Sequence, residues 1–154
     1  MQHLLKSILF IWIIILVISC KSTKVENPIE YQNKMLVFSH GGGFTGGMKT
    51  YYFLENGQVF KNESNAIVSE DSLKVYEVLK NIPKGAVEQI FSNYEILAIE
   101  KINRNTPGNL NYTIQYIDKE TQHEVQWGKG QDGVKSLDLF YGNVLNLIKK
   151  YSEE

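Results

Sequence analysis

The chain has 154 residues, with 16 Lys and Arg against 17 Asp and Glu, for a net charge of −1. So even a balance gives no electrostatic footprint for nucleic acid or for an acidic membrane surface. The single cysteine, Cys20, excludes an intrachain disulfide and a cysteine metal cluster.

Residues 1–19 read as a lipoprotein signal peptide. Lys6 supplies the positive n-region, and Ile8 to Ile18 is an unbroken apolar run. The run is short of the roughly 20 residues a membrane span needs, and it has the anatomy of a secretory signal. Ser19-Cys20 matches the bacterial lipobox. That resemblance implies cleavage before Cys20, diacylation of Cys20 and a lipidated N-terminus. Lys21, in place of an acidic residue, points to the outer membrane. Residues 20–34 are polar, contain Pro28 and read as the lipidated N-terminus and tether. Residues 35–154 fit one small domain.

Within that domain Met35 to Phe38 is a short apolar strand. The stretch Ser39 to Met48 follows, five of its ten residues being glycine. Lys49 to Leu54 is an aromatic-rich strand. Asn56-Gly57 then predicts a hairpin with a type I′ turn into Gln58 to Lys61. Ser69 to Asp71 can cap a helix whose apolar face is Leu73, Val75, Tyr76, Leu79 and Ile82, with Pro83 as its stop. A second helix carries Ala86, Val87, Ile90, Phe91 and Tyr94 on one side, and Ile96 to Ile102 is either its extension or a lead into a strand. Asn103 to Asn109 is a turn-forming loop. Leu110, Tyr112, Ile114 and Tyr116 alternate along the next strand, and His123, Val125 and Trp127 along its return. Gly128 to Gly133 reads as a mobile loop. Val134 to Tyr151 closes the chain as an amphipathic helix. Hairpins with segregated helices predict an α+β fold, a small antiparallel sheet of four to five strands with helices packed on one face.

The glycine stretch imitates several catalytic motifs and completes none. Gly41-x-Gly43-x-x-Gly46 spells a dinucleotide fingerprint, but a strand follows where a helix must. A kinase glycine loop lies between strands, yet no catalytic loop or metal-binding Asp-Phe-Gly accompanies it. A P-loop needs Lys directly after its last glycine, where Met48 stands. His40-Gly41-Gly42-Gly43 resembles the oxyanion loop of esterases, without a Gly-x-Ser-x-Gly nucleophile to serve. His40 and His123 are not spaced as metal ligands, and the carboxylates are scattered, which predicts a protein with no catalytic residues, metal or cofactor. Tyr51, Tyr52, Phe53, Tyr112, Tyr116 and Trp127 divide between core and surface.

Gly42-Gly43-Phe44-Thr45-Gly46 between two strands, a helix-rich middle, Tyr112-Thr113-Ile114-Gln115-Tyr116, a return strand and a closing helix together resemble the emfourin family. These are small protein inhibitors of thermolysin-like metalloproteases. The chain departs from the family pattern in its lipidation signal, in the longer loop 62–68, and in Asn109 and Asn111 ahead of Tyr112. The resemblance implies a protein partner, a protease, and no catalysis by the chain itself. On the residues alone the expectation is a protein-binding module whose recognition element is His40, Gly41, Gly42, Gly43, Phe44, Thr45, Gly46 and Gly47. Phe44 would be the aromatic anchor on a bare backbone. The alternative is a structural or assembly lipoprotein of the envelope.

Overall fold

A strand buried on both faces anchors the sheet. In β1 (Met35–Gly42), Leu36 and Phe38 point to one side, Met35 and Val37 to the other, and all four are buried. This is why Met35 to Phe38 reads as a continuous apolar run instead of an alternating one. The computed structural model describes residues 25–43, 46–64 and 76–152. Cys20, Phe44, Thr45 and positions 69–75 of the predicted first helix lie outside the described residues.

Around β1 stand β2 (Met48–Leu54), β3 (Val59–Ser64), β4 (Glu77–Val78), β5 (Asn105–Thr106), β6 (Leu110–Ile117) and β7 (Gln122–Gly128). Their order in the sheet is β4-β3-β2-β1-β6-β7-β5. The α+β class holds, but the described sheet has seven strands, not four to five. It is also mixed, because β5 runs parallel to β7 while the other pairings are antiparallel. The two extra strands are two residues each, one at either edge.

β4 replaces part of the predicted helix ending at Ile82. Tyr76 and Val78 pack with Tyr52 and Phe60 on the outer face, while Leu79 joins the inner core and Glu77 meets Lys61. That is a period of two, and the cross-strand partners on β3 decide it.

The Asn56-Gly57 turn is present with a different geometry. Leu54 carbonyl accepts from Gly57 N–H at 2.9 Å, and among Glu55, Asn56 and Gly57 only Gly57 has positive φ, at 95°. That is the pattern of a type I turn with a glycine bulge; a type I′ turn would need Asn56 positive as well. Asn56 Oδ1 instead accepts from Gln58 N–H at 2.9 Å.

Helices α1 (Lys84–Ile96) and α2 (Lys135–Ser152) pack on the same face. Val87, Ile90 and Tyr94 of α1 and Leu137, Phe140, Tyr141, Val144 and Ile148 of α2 share one core with Leu36, Phe38, Phe53, Ile114, Val125 and Trp127. A 3-10 turn, Ile99–Lys101, follows α1, entered through Ala98 at φ 50°. Among the described residues, the opposite face carries a smaller cluster around Met35, Val37, Leu54 and Phe60. Tyr31 lies against it, so residues assigned to the tether dock on the sheet. The Tyr31 hydroxyl accepts from Asn56 N–H at 3.2 Å, and Gln58 Oε1 accepts from Glu26 N–H at 2.9 Å.

Candidate functional site

The glycine stretch is the turn of the β1–β2 hairpin. Gly47 carbonyl accepts from Gly42 N–H at 3.0 Å, and Gly43 carbonyl accepts from Gly46 N–H at 3.2 Å. Positive φ occurs at Gly42 (106°), Gly43 (71°) and Gly46 (60°), a left-handed path that side chains resist. Gly41 has ordinary φ and a different constraint: a Cβ there would run into the Gly47 carbonyl oxygen and the Met48 backbone. The hairpin is also tied sideways to β6, where Asn109 carbonyl accepts from Gly43 N–H at 2.7 Å.

Register brings a second glycine cluster to the same end of the sheet. Met48 pairs with Gly41, Gly41 with Asn111, and Asn111 with Gly128. Gly108 and Gly128 touch: a Cβ on either would lie 2.8 Å from the other's Cα. Asn111 Oδ1 accepts from Gly108 N–H at 2.6 Å, so its side chain fixes this contact. The loop after β7 is linked to β5 and to Arg104 through Gln131. Gln131 donates from Nε2 to the Thr106 carbonyl at 2.9 Å and accepts through Oε1 from the Thr106 hydroxyl at 2.8 Å and Arg104 Nη2 at 3.3 Å.

Leu110, which the sequence assigns to a buried face, is 42% exposed at this end. A Cβ on Gly43 would stand 3.5 Å from Leu110 Cδ2, so Leu110 lies beside the residue that precedes Phe44. No pattern in the sequence marks Leu110, since its exposure follows from the strand ending there.

His40 points to the helix side, away from the turn. Its Nδ1 is hydrogen-bonded to the Tyr141 hydroxyl at 3.0 Å. Its ring stacks on Tyr51 at a 6.1 Å centroid distance and meets Tyr141 edge-on at 5.9 Å. Burial holds its pKa below the ordinary imidazole value; the Lys49 charge pushes the same way and Glu63 opposes. The imidazole is therefore held neutral near pH 7. Burial likewise pushes the Tyr141 phenol up, with Tyr51 and Tyr112 adding to it.

His123 sits at the other end of the sheet. Its Nε2 donates to the Ile102 carbonyl at 3.1 Å, and its Nδ1 is hydrogen-bonded to the Tyr94 hydroxyl at 3.1 Å. Burial is the main cause of the raised Tyr94 pKa. Each histidine thus ties a strand to a helix or loop, and the two are not brought together. Among the described residues no group of three or more His, Cys, Asp or Glu could hold a metal ion. None of the described helices is long and apolar enough to cross a membrane.

Compared with known proteins, the chain matches no protein-family model, and a search of curated proteins returns no match.

Proposed function

We propose that the protein is a lipid-anchored envelope module that binds another protein through the glycine end of its sheet, and that it does so without catalysis. The anchor is Cys20, and the outer membrane is its location. The observation that carries the reading is convergence. The hairpin turn at Gly41 to Gly47, the Gly108–Gly128 contact and the exposed Leu110 collect at one sheet end, across neighbouring strands. Backbone without side chains, next to the exposed Leu110, suits close approach by a partner surface. The hydrogen bonds that hold the turn and the Gln131 loop make this end preorganised, which lowers the ordering cost of binding. His40 and His123 already spend ring nitrogens on structural bonds, which supports a binding role over an acid–base one.

Inhibition of a thermolysin-like metalloprotease is the specific form we propose, on the resemblance to emfourins. Titrating purified protein into thermolysin with a fluorogenic peptide substrate tests it. Inhibition that weakens with Phe44→Ala, at an unchanged melting temperature, supports the recognition role of the turn. Full protease activity at a large excess of the protein removes the inhibitor reading. Unfolding by Phe44→Ala moves the side chain to the core.

A further inference from the structure

A different surface carries charge where a sheet should be apolar. On the helix-facing side, register aligns Ile114, Phe38, Tyr51, Lys61 and Glu77 in one row and Tyr112, His40, Lys49 and Glu63 in the next. Each row begins in aromatic core under α2 and ends in ionised side chains. The last turns of α2 stand opposite and leave an open cleft of about 480 Å³, within the range of small-ligand sites. Its floor is His40 and Tyr51, and Leu145 and Ile148 form its apolar wall.

Lys49 and Lys61 line this cleft together with Glu77 and Lys149, and the ammonium groups of the first two converge on one carboxylate oxygen at its margin. Lys49 Nζ lies 3.2 Å and Lys61 Nζ 2.9 Å from the same oxygen, Glu63 Oε1. Lys61 also reaches Glu77 at 3.6 Å, and its side chain is only 28% exposed. Inward-pointing charges are one way to keep a sheet edge from pairing with another chain. That accounts for a charge on β3. It does not account for lysines from two strands aimed at one anion position beside an aromatic and aliphatic cleft.

We propose that this cleft binds a small carboxylate carrying an aromatic or aliphatic body. The ligand carboxylate takes the position that Glu63 Oε1 holds between Lys49 and Lys61, and the body lies on His40 and Tyr51 against Leu145 and Ile148. Glu63, whose side chain is 46% exposed one residue from the end of β3, is the internal competitor that swings out. A free acid and the C-terminal residue of a peptide present the same chemistry. The inference does not depend on protein binding at the glycine end.

Isothermal titration of the full-length protein in phospholipid nanodiscs tests it, with 3-phenylpropionate and Gly-Gly-Phe as probes and the corresponding amides as controls. Both carboxylates are expected to bind and the amides to give no heat; the tighter carboxylate identifies the source. Glu63→Gln removes the competitor and should tighten binding about two- to fivefold, the scale of a solvent-exposed ion pair. Lys61→Met should weaken it about tenfold or more, the scale of a charged hydrogen bond. Thermal melts show whether each variant is folded, and Lys49→Gln, at a more exposed position, replaces Lys61→Met if that variant unfolds. The proposal is overturned if neither carboxylate binds wild type or Glu63→Gln, if the amides bind as well as the acids, or if Glu63→Gln leaves affinity unchanged or lower.

Discussion

Alanine at Gly42 separates a glycine required by the fold from one that is merely convenient. Gly42 has φ of 106°, and an added Cβ would lie 2.6 Å from the Asn109 carbonyl oxygen. Holding a side chain in such a backbone conformation costs about 1–3 kcal/mol. Forcing a methyl against packed atoms costs about 1–3 kcal/mol. Relief requires moving Asn109, whose carbonyl accepts from Gly43 N–H at 2.7 Å. That bond contributes about 1 kcal/mol. The three terms share one displacement and do not add, so a loss of about 3 kcal/mol is expected. Gly43→Ala is the internal control. Its φ is 71°, and its Cβ would stand 3.5 Å from Leu110 Cδ2, an ordinary contact. Only the left-handed conformation costs there, about 1 kcal/mol. Urea unfolding followed by circular dichroism gives both values by linear extrapolation. Equal losses from the two variants, or a Gly42→Ala loss of less than about 1 kcal/mol, would refute close approach as the reason for the glycine.

Asp138→Ala removes the acceptor of the buried Trp127 Nε1–H, now bonded at 2.7 Å, and should cost about 1–3 kcal/mol by thermal melt, with Asp138→Asn costing less. Gly57→Val should cost about 1–3 kcal/mol, because φ is 95° and a Cβ would meet Lys84 Cγ at 2.6 Å; an unchanged melt would remove the bulge assignment. Acidification should lower the melting temperature in two windows. The His40 pKa is depressed from 6.5, so its stabilisation is present above that value and lost as pH falls through the lower folded value; His40→Phe should remove this upper step. Asp118 accepts from the Glu120 and Thr121 N–H groups, which hold its pKa down at about 2, so its contribution is present above 3.8 and lost as pH falls through about 2; an NMR titration of its carboxyl checks the value.

The sequence shows most clearly what depends on local pattern. Tyr112, Ile114 and Tyr116 pack on the inner face of β6, as alternation predicts, and the apolar spacing from Val134 marks α2 to within a residue. β4 and β5 were hidden because two-residue strands have no period of their own. Tyr76 and Leu79 fit a helix three residues apart as well as they fit a strand, and contacts with Tyr52 and Phe60 choose between them. The glycine stretch stands out in the sequence, but the reason for its glycines does not. Gly42 and Gly43 answer to Asn109, a residue far along the chain, so their number reflects packing at a strand junction as well as bare backbone. The charges near the cleft are legible in the sequence: Lys49, Lys61 and Glu63 share the inward parity of Phe53 and Val59, where a buried face predicts apolar residues.

Docking of residues 26–34 bears on how the glycine end meets a partner. Gln58 accepts from Glu26 N–H, Tyr31 from Asn56 N–H, and the Lys34 carbonyl from Glu55 N–H at 3.0 Å. All three bonds lie at the β2–β3 turn, where β1 begins. β1 then runs eight residues to Gly42, or about 25 Å at strand rise. From Cys20 to Glu26 an extended chain spans at most about 22 Å. With the lipid anchor proposed at Cys20, the tether therefore joins the domain at the end opposite the glycine turn and cannot lie across it. On that proposal the leash would hold the domain near the bilayer, with the Gly42 end of β1 and Leu110 at the far end of the sheet, and a partner at that end would not displace the docked segment.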